Sequence, residues 1–223
     1  FSLICLVHNE TVVPLEVAQD HKCVFDGDKG PNTGGVGSYS PVKKITSEII
    51  DEAMNEIMKP MASAMVKEGV PFTGFLYGGL MLTEKGIKTI EFNARFGDPE
   101  AEVILPRLES DFVQAILDLM DNKPVELKWT DKVSHGVVLA STNYPASSTK
   151  GSLITGVDDV DGLVFHMGTK MTDEGLVTDG GRVLMVVTLE DDLQTAFDHT
   201  YKELEKIQCK DLFHRNDIGK KDM

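Results

Sequence analysis

Glu91 and Asn93 stand two residues apart at the end of a short apolar run, Ile87 to Phe92, whose residue types suit a β-strand. At a strand's period of two, both side chains leave the same face of the sheet. A carboxylate and a carboxamide placed together make a hard oxygen donor pair. Such a pair suits Mg²⁺ (or Mn²⁺), which keeps its other positions for water and nucleotide phosphates. Arg95 follows two residues later, and if the chain stays extended it enters the same space with a cation that is not deprotonated. Gly97-Asp98-Pro99 then makes a rigid turn. Glu-x-Asn alone is usually an ordinary solvated pair; with the arginine and the turn beside it, the stretch reads as a site for phosphate chemistry.

A second stretch, Gln19 to Ser40, is dominated by Gly, Asp, Asn, Pro and Lys and cannot be regular structure throughout. A flexible surface loop accounts for that composition. Its length, however, exceeds an ordinary connection, and Asn32-Thr33-Gly34-Gly35 offers backbone N–H groups that an anion can approach without side-chain obstruction. No Gly-Lys-Ser/Thr follows the glycines, so this is not a Walker A loop. The functional reading is a substrate lid.

The elements that must position these residues are legible from periodicity. Leu3 to Val7 and Val12 to Ala18 form a hairpin, and Phe75 to Leu82 pairs with Ile87 to Phe92 across Glu84-Lys85-Gly86, putting Glu91 and Asn93 at the end of a central strand. Between the hairpins, Thr46 caps a helix running to about Glu68, with Ile49, Ile50, Ala53, Ile57, Met61, Ala64 and Met65 inward and a kink or break at Pro60. Ser110 caps a second helix whose buried side comprises Phe112, Val113, Ile116, Leu117 and Met120. From Val133 the texture changes to strands at Val137 to Ala140, Leu163 to His166 and Arg182 to Leu189, with a helix over Asp191 to Ile207. The division expected is 1–124 and 125–223, the second part a small α+β domain. Arg182, after Gly180-Gly181, reads as a surface arginine in a tight turn rather than an anion contact.

Composition bounds the partners. A formal net charge of -14 over 223 residues repels polyanions, so nucleic acid is not expected. No apolar run is long enough to cross a bilayer and no signal peptide is recognisable, which makes a cytoplasmic location the expectation. Cys5, Cys23 and Cys209 suit reduced thiols, and the scattered histidines suggest no metal site. The chain begins inside a strand, as a piece of a longer polypeptide would.

Taken together, these segments resemble the phosphoribosylamine-glycine ligase family, the glycinamide ribonucleotide synthetases of the ATP-grasp superfamily. The resemblance rests on Gln19-Asp20-His21-Lys22, Asp28-x-Gly30-Pro31-Asn32-Thr33-Gly34-Gly35, Glu91-Phe92-Asn93-x-Arg95-Phe96-Gly97-Asp98-Pro99-Glu100, Gly180-Gly181-Arg182-Val183 and Phe213-x-Arg215-x-Asp217-Ile218. It implies an α+β fold: the second half of an ATP-grasp domain, an antiparallel sheet with helices, followed by the small carboxy-terminal domain. It implies ATP-dependent joining of glycine to 5-phosphoribosylamine through glycyl phosphate, as in purine biosynthesis. Within it Glu91 and Asn93 hold the metal, Arg95 and Asp98 are catalytic, and Lys22, Asp28, Asn32, Thr33, Gly34 and Gly35 bind substrate. Cys23, Val36 and Glu102 depart from the family, where a basic residue, methionine and glutamine are usual. The amino-terminal half, in cis or on a second chain, is needed to complete the nucleotide site, so this chain alone is expected to be inactive. Two other readings stay open: an ATP-grasp ligase for another carboxylate-amine pair, and a non-catalytic module that binds a nucleotide or partner.

Overall fold

The computed structural model describes Phe1–Met223 throughout. Strand β1 (Ser2–His8) is apolar on both faces because both faces are covered. Leu3, Cys5 and Val7 pack with Met54 and Met58 on one side, and Ile4 and Leu6 pack with Val103, Ile104 and Leu119 on the other. The second strand of this hairpin, β2 (Thr11–Pro14), is shorter than the run of apolar residues after it suggests.

Four short strands follow: β3 (Gln19–Asp20), β4 (Cys23–Phe25), β5 (Lys29–Asn32) and β6 (Gly37–Ser40). Gln19 to Ser40 is thus not one open loop. β4 and β5 form a hairpin of their own, while β3 and β6 pair with each other.

The long helix predicted from Thr46 onward is interrupted, α1 (Ser47–Ala53) leading through a π-helical turn, Met54–Met58, into α2 (Lys59–Lys67). The wider turn lets Pro60 sit at the start of α2, where a missing N–H donor costs little. Met54, Met58 and Ala62 are fully buried, whereas Ala64, expected inward, is exposed. Thr46 occupies the cap position of α1 but makes no side-chain capping bond.

Strands β7 (Thr73–Thr83) and β8 (Gly86–Asn93) complete a four-stranded antiparallel sheet of order β2-β1-β7-β8. Short helix α3 (Ala101–Ile104) and then α4 (Phe112–Met120) cover the face opposite α1. Asp111, not Ser110, caps α4 by accepting from the Gln114 N–H at 2.9 Å; Ser110 Oγ instead accepts from the Lys128 N–H. Helix α4 is apolar nearly all round, so periodicity alone did not choose its inner stripe. Ala115 and Leu119 are buried and Val113, Leu117 and Met120 are exposed.

The remaining strands are β9 (Val133–Ser141), β10 (Leu163–His166), β11 (Thr169–Thr172), β12 (Gly175–Thr178), β13 (Arg182–Glu190) and β14 (Leu212–Phe213), with α5 (Leu193–Leu204) before the last. β9, buried at every position, is the axis of a second antiparallel sheet of order β10-β13-β9-β6-β3, to which β14 adds. This sheet recruits β3 and β6 from the first forty residues, so its strands come from both sides of position 124. Val103 and Ile104 of α3 share one apolar cluster with Ile4, Leu6 and Tyr77 of the first sheet and Val138, Met185 and Val187 of the second. Gly136 makes that approach tight: a Cβ there would lie 2.2 Å from Met185 Cε. On the other face α5 contributes Thr200, which bonds buried His135 at 2.9 Å, while His135 Nε2 donates to the Ile218 carbonyl. Burial pushes this imidazole down to about 4, keeping it neutral.

Candidate active site

β8 is an edge strand, not the central one expected, because β7 takes the place between β1 and β8. Its exposed residues Lys88, Thr89 and Ile90 fit that position. Near its end Asn93 pairs with Tyr77 and Glu91 with Gly79, with a register shift between Gly79 and Leu80. Glu91 and Asn93 therefore do share a face. The absence of a side chain at Gly79 leaves Glu91 room, since a Cβ there would stand 3.2 Å from Glu91 Cγ.

Neither the Glu91 carboxylate nor the Asn93 carboxamide is spent on a protein hydrogen bond, and Glu91 is 46% exposed. No cluster of three or more His, Cys, Asp or Glu side chains is poised for a metal. Two uncommitted hard oxygen donors, with a nucleotide left to supply others, fit Mg²⁺ in the manner this ion prefers.

After Asn93 the chain bends at Ala94 and Arg95, so the extended path that would aim Arg95 beside Glu91 is not taken. Arg95 is exposed and donates from Nη1 to the Phe96 carbonyl at 2.9 Å. Asp98 is held differently: Arg182 Nη1 lies 2.8 Å from both its carbonyl oxygen and its Oδ1. The same nitrogen reaches the carbonyls of Gly34 at 3.3 Å and Gly35 at 3.4 Å. Arg182, read from sequence as a surface turn residue, is only 20% exposed and joins the second sheet to both candidate segments.

The glycine-rich backbone is more committed than its composition suggests. The Thr33 N–H donates to the Lys22 carbonyl, the Gly34 N–H to Tyr144 Oη and the Gly35 N–H to Thr33 Oγ1. Asn32 Oδ1 accepts from the Cys23 thiol at 3.5 Å. Asp28, in a left-handed turn, pairs with Arg215 Nη1 at 3.0 Å and with Lys221. Buried Arg215 also bonds Asp217 at 2.8 Å and the Cys23 carbonyl at 2.9 Å. These pairs tie the β4–β5 hairpin to the carboxy-terminal segment.

Lys22 lies between the groups the sequence singled out and one it did not. Its Nζ is 4.0 Å from Glu91 Oε1 and 2.9 Å from Asp20 Oδ2. Asp20 is 4% exposed at its side chain and is met there by the Lys22 ammonium. Burial, then the nearby charge of Glu100, holds this carboxyl well above the usual carboxylate range, against the pull of Lys22. Glu100 is itself buried and accepts from Ser2 Oγ at 2.7 Å; Ser2 Oγ lies 3.0 Å from Tyr77 Oη. Asp20, Lys22, Tyr77, Gly79 and Glu91 line one cleft of about 690 Å³. The departures at Val36 and Glu102 sit differently: Val36 is buried in the core, while Glu102 keeps one buried oxygen unpartnered. Burial, then Asp98, pushes Glu102 up to about 7.

An antiparallel sheet backed by helices, carrying a Glu-x-Asn oxygen pair over a cleft and locked to a second sheet, defines an ATP-grasp fold. The chain belongs to the phosphoribosylglycinamide synthetase family. Residues 1–101 match the model of its ATP-grasp (A) domain and residues 134–221 that of its C domain. It is 52% identical over 222 residues to the phosphoribosylamine-glycine ligase of Halalkalibacterium halodurans, a match covering 99% of this chain and 52% of that protein. Against the Lactococcus lactis enzyme of the same name, identity is 45%, covering 98% and 53% respectively. The chain spans about half the length of the curated relatives it matches. Among solved structures, phosphoribosylamine-glycine ligase from Thermotoga maritima superposes with a TM-score of 0.89 at 36% identity, covering 97% of this chain and 55% of that one. The biotin carboxylase domain of Hydrogenobacter thermophilus 2-oxoglutarate carboxylase, in complex with MgADP and bicarbonate, gives 0.59 at 15% identity, covering 96% and 46%; at that distance it shows the fold alone.

Proposed function

We propose that this chain supplies the metal- and acyl-handling half of an enzyme that joins glycine to 5-phosphoribosylamine, converting ATP to ADP and phosphate. The observation that carries the reading is Glu91 and Asn93, uncommitted on one face of β8, followed by the Arg95 to Glu100 turn that Arg182 ties to the glycine-rich segment. The kinship with ligases of that name supports it.

A carboxylate resists attack by an amine, so it must first gain a leaving group. A glycine carboxylate oxygen attacks the γ-phosphorus of ATP, the bond to the bridging oxygen breaks, and ADP departs from glycyl phosphate. The amine nitrogen of phosphoribosylamine then attacks the acyl carbon, the bond to the phosphate oxygen breaks, and the nitrogen gives up a proton. Glu91 and Asn93 would hold a Mg²⁺ ion, which when bound would supply charge neutralisation for the phosphoryl transfer. Lys22, beside Glu91, adds a second cation at that side of the cleft. Arg95, exposed and bonded only to its neighbour's carbonyl, is free to turn toward a carboxylate or acyl phosphate. Asp98 is held in place by Arg182, and the clamped segment Asp28 to Gly37 shields one wall of the cleft from water.

The test is ADP release by the longest natural polypeptide containing these residues, measured with and without glycine and phosphoribosylamine. Release that needs both and is lost in Glu91→Ala is the expected result. Release indifferent to glycine refutes the named reaction, and an active Glu91→Ala variant refutes the metal role.

A further inference from the structure

Nothing in the preceding mechanism uses Tyr144, which stands in the turn after β9, 110 residues along the chain from Gly34. The second sheet fixes its place. The Tyr144 N–H donates to the Ser141 carbonyl at 2.8 Å, and the Ser141 N–H donates to the Gly181 carbonyl at 2.7 Å. The ring lies against Gly181, where a Cβ would come within 2.5 Å of Cδ2 and 2.9 Å of Cε2, so only bare backbone leaves it room. From that seat Tyr144 Oη accepts from the Gly34 N–H at 3.0 Å. Arg182 holds the other end of the same residue, donating to the Gly34 carbonyl at 3.3 Å. Gly34 is exposed, so water would satisfy its N–H equally well; what the tyrosine hydroxyl adds is position. The position matters because this backbone stands behind the cleft wall. A Cβ on Gly35 would lie 2.5 Å from Oδ1 of Asp20, a lining residue, and 2.3 Å from Pro99 Cδ in the turn that carries Asp98.

We propose that Tyr144, seated on Gly181, is a positioning residue that holds the Gly34–Gly35 backbone against the cleft wall and so keeps water from the acyl phosphate. This assignment rests on the ligase reading. Two nucleophiles compete for glycyl phosphate. Attack by the amine nitrogen gives the amide. If a water oxygen attacks the acyl carbon instead, the bond to the phosphate oxygen breaks, and glycine, phosphate and a proton leave with ATP consumed and no amide made. Tyr144 touches neither nucleophile. Losing one neutral hydrogen bond multiplies the fraction of time the segment stands open by about three to ten. That change registers in the choice between amine and water, not in the phosphorylation that precedes it.

The experiment measures ADP and amide product together, with all substrates present, for the full-length enzyme and its Tyr144→Phe variant, which keeps the ring and removes only the acceptor. The excess of ADP over amide, per amide formed, should rise about three- to tenfold over wild type, while total ADP release stays within about threefold. A residue that merely supports the fold lowers ADP and amide in proportion, so an unchanged excess overturns the proposal at whatever rate it is found. Gly181→Ala reaches the same contact by another route, pushing the ring off its seat, and should raise the excess similarly. Because both changes remove one contact, the double variant should show no more excess than the larger of the two singles; effects that multiply overturn the assignment. Wild-type ADP release that ignores glycine would remove the ligase reading and this assignment together. Glycine-dependent release with an unchanged excess in Tyr144→Phe would remove only the role of Tyr144.

Discussion

At the scale of single residues, the site divides into side chains recognisable from their neighbours in sequence and side chains recognisable only from their neighbours in space. Glu91 and Asn93 belong to the first kind, since a two-residue spacing on a strand decides that they share a face. Arg182 belongs to the second: its acceptors on Asp98, Gly34 and Gly35 are 84 to 148 residues away in the chain. Because Asp98 is 45% exposed, its ion pair with Arg182 adds no more than about 1 kcal/mol of stability, and its consequence is positional. Arg182→Ala in the full-length enzyme is therefore expected to lower kcat/KM about 10- to 100-fold while shifting the urea unfolding free energy by less than about 1 kcal/mol. Glu102 offers a test with a definite pH signature. Its folded pKa, about 7, lies above its unfolded value, so the stability it contributes is full below about pH 4.5 and is lost as pH rises through 7. Glu102→Gln removes that loss. With allowance for partial solvation, the variant should be about 1–2 kcal/mol more stable than wild type at pH 8.5 and nearly equal to it at pH 4, as read by denaturant titration at both values.

At the scale of elements, the regular runs were legible and the short ones were not. β1, β7, β8, β9 and β13 are long enough for apolar patterning to register, whereas β3 to β6 are two to four residues each and built from turn-forming types. What makes the β4–β5 hairpin an ordered element is a contact remote in sequence. Asp26 accepts from the Asn216 backbone and side chain, Gly27 donates to Asp217, and Asp28 meets Arg215 and Lys221. Arg215 is the centre of this tie, 1% exposed at its side chain with carboxylates on two sides. Replacing it by alanine strands Asp217 and the Cys23 carbonyl, although Asp28 retains water, so the loss should fall near the lower end for broken buried pairs, about 3 kcal/mol. Thermal unfolding of Arg215→Ala measures that loss. Faster tryptic cleavage after Lys29 would report that the hairpin has come free; unchanged cleavage would show that the hairpin holds without its tether. Over residues 47–67 the buried stripe runs Met54, Met58 and Ala62, with the π-helical turn Met54–Met58 between the two α-helical segments, and Ala64 lies outside it.

At the scale of the whole molecule, the two sheets pack on α3, and the second sheet draws β3 and β6 from the first forty residues while the first draws no strand from beyond residue 124. The consequence is that the glycine-rich segment is built into the second sheet through β6 and β9, while Glu91 stands at the edge of the first. The cleft between them has a polar floor of Asp20, Lys22 and Glu91 and an apolar rim in which Met81 is 53%, Leu82 47% and Ile90 63% exposed. An acyl phosphate formed there would meet water from the uncovered side, and a nucleotide would touch protein on one side only. Positioning and electrostatic stabilisation supply most of the acceleration in phosphoryl transfer, and both need contacts around the nucleotide. The 223 residues by themselves should therefore give no glycine-dependent ADP release above the buffer rate, although Glu91 and Asn93 remain in place. The longest natural polypeptide that contains these residues, assayed at equal concentration, is expected to turn over. Comparable turnover by both would mean that the exposed rim needs no cover and that the cleft as it stands is a complete active site.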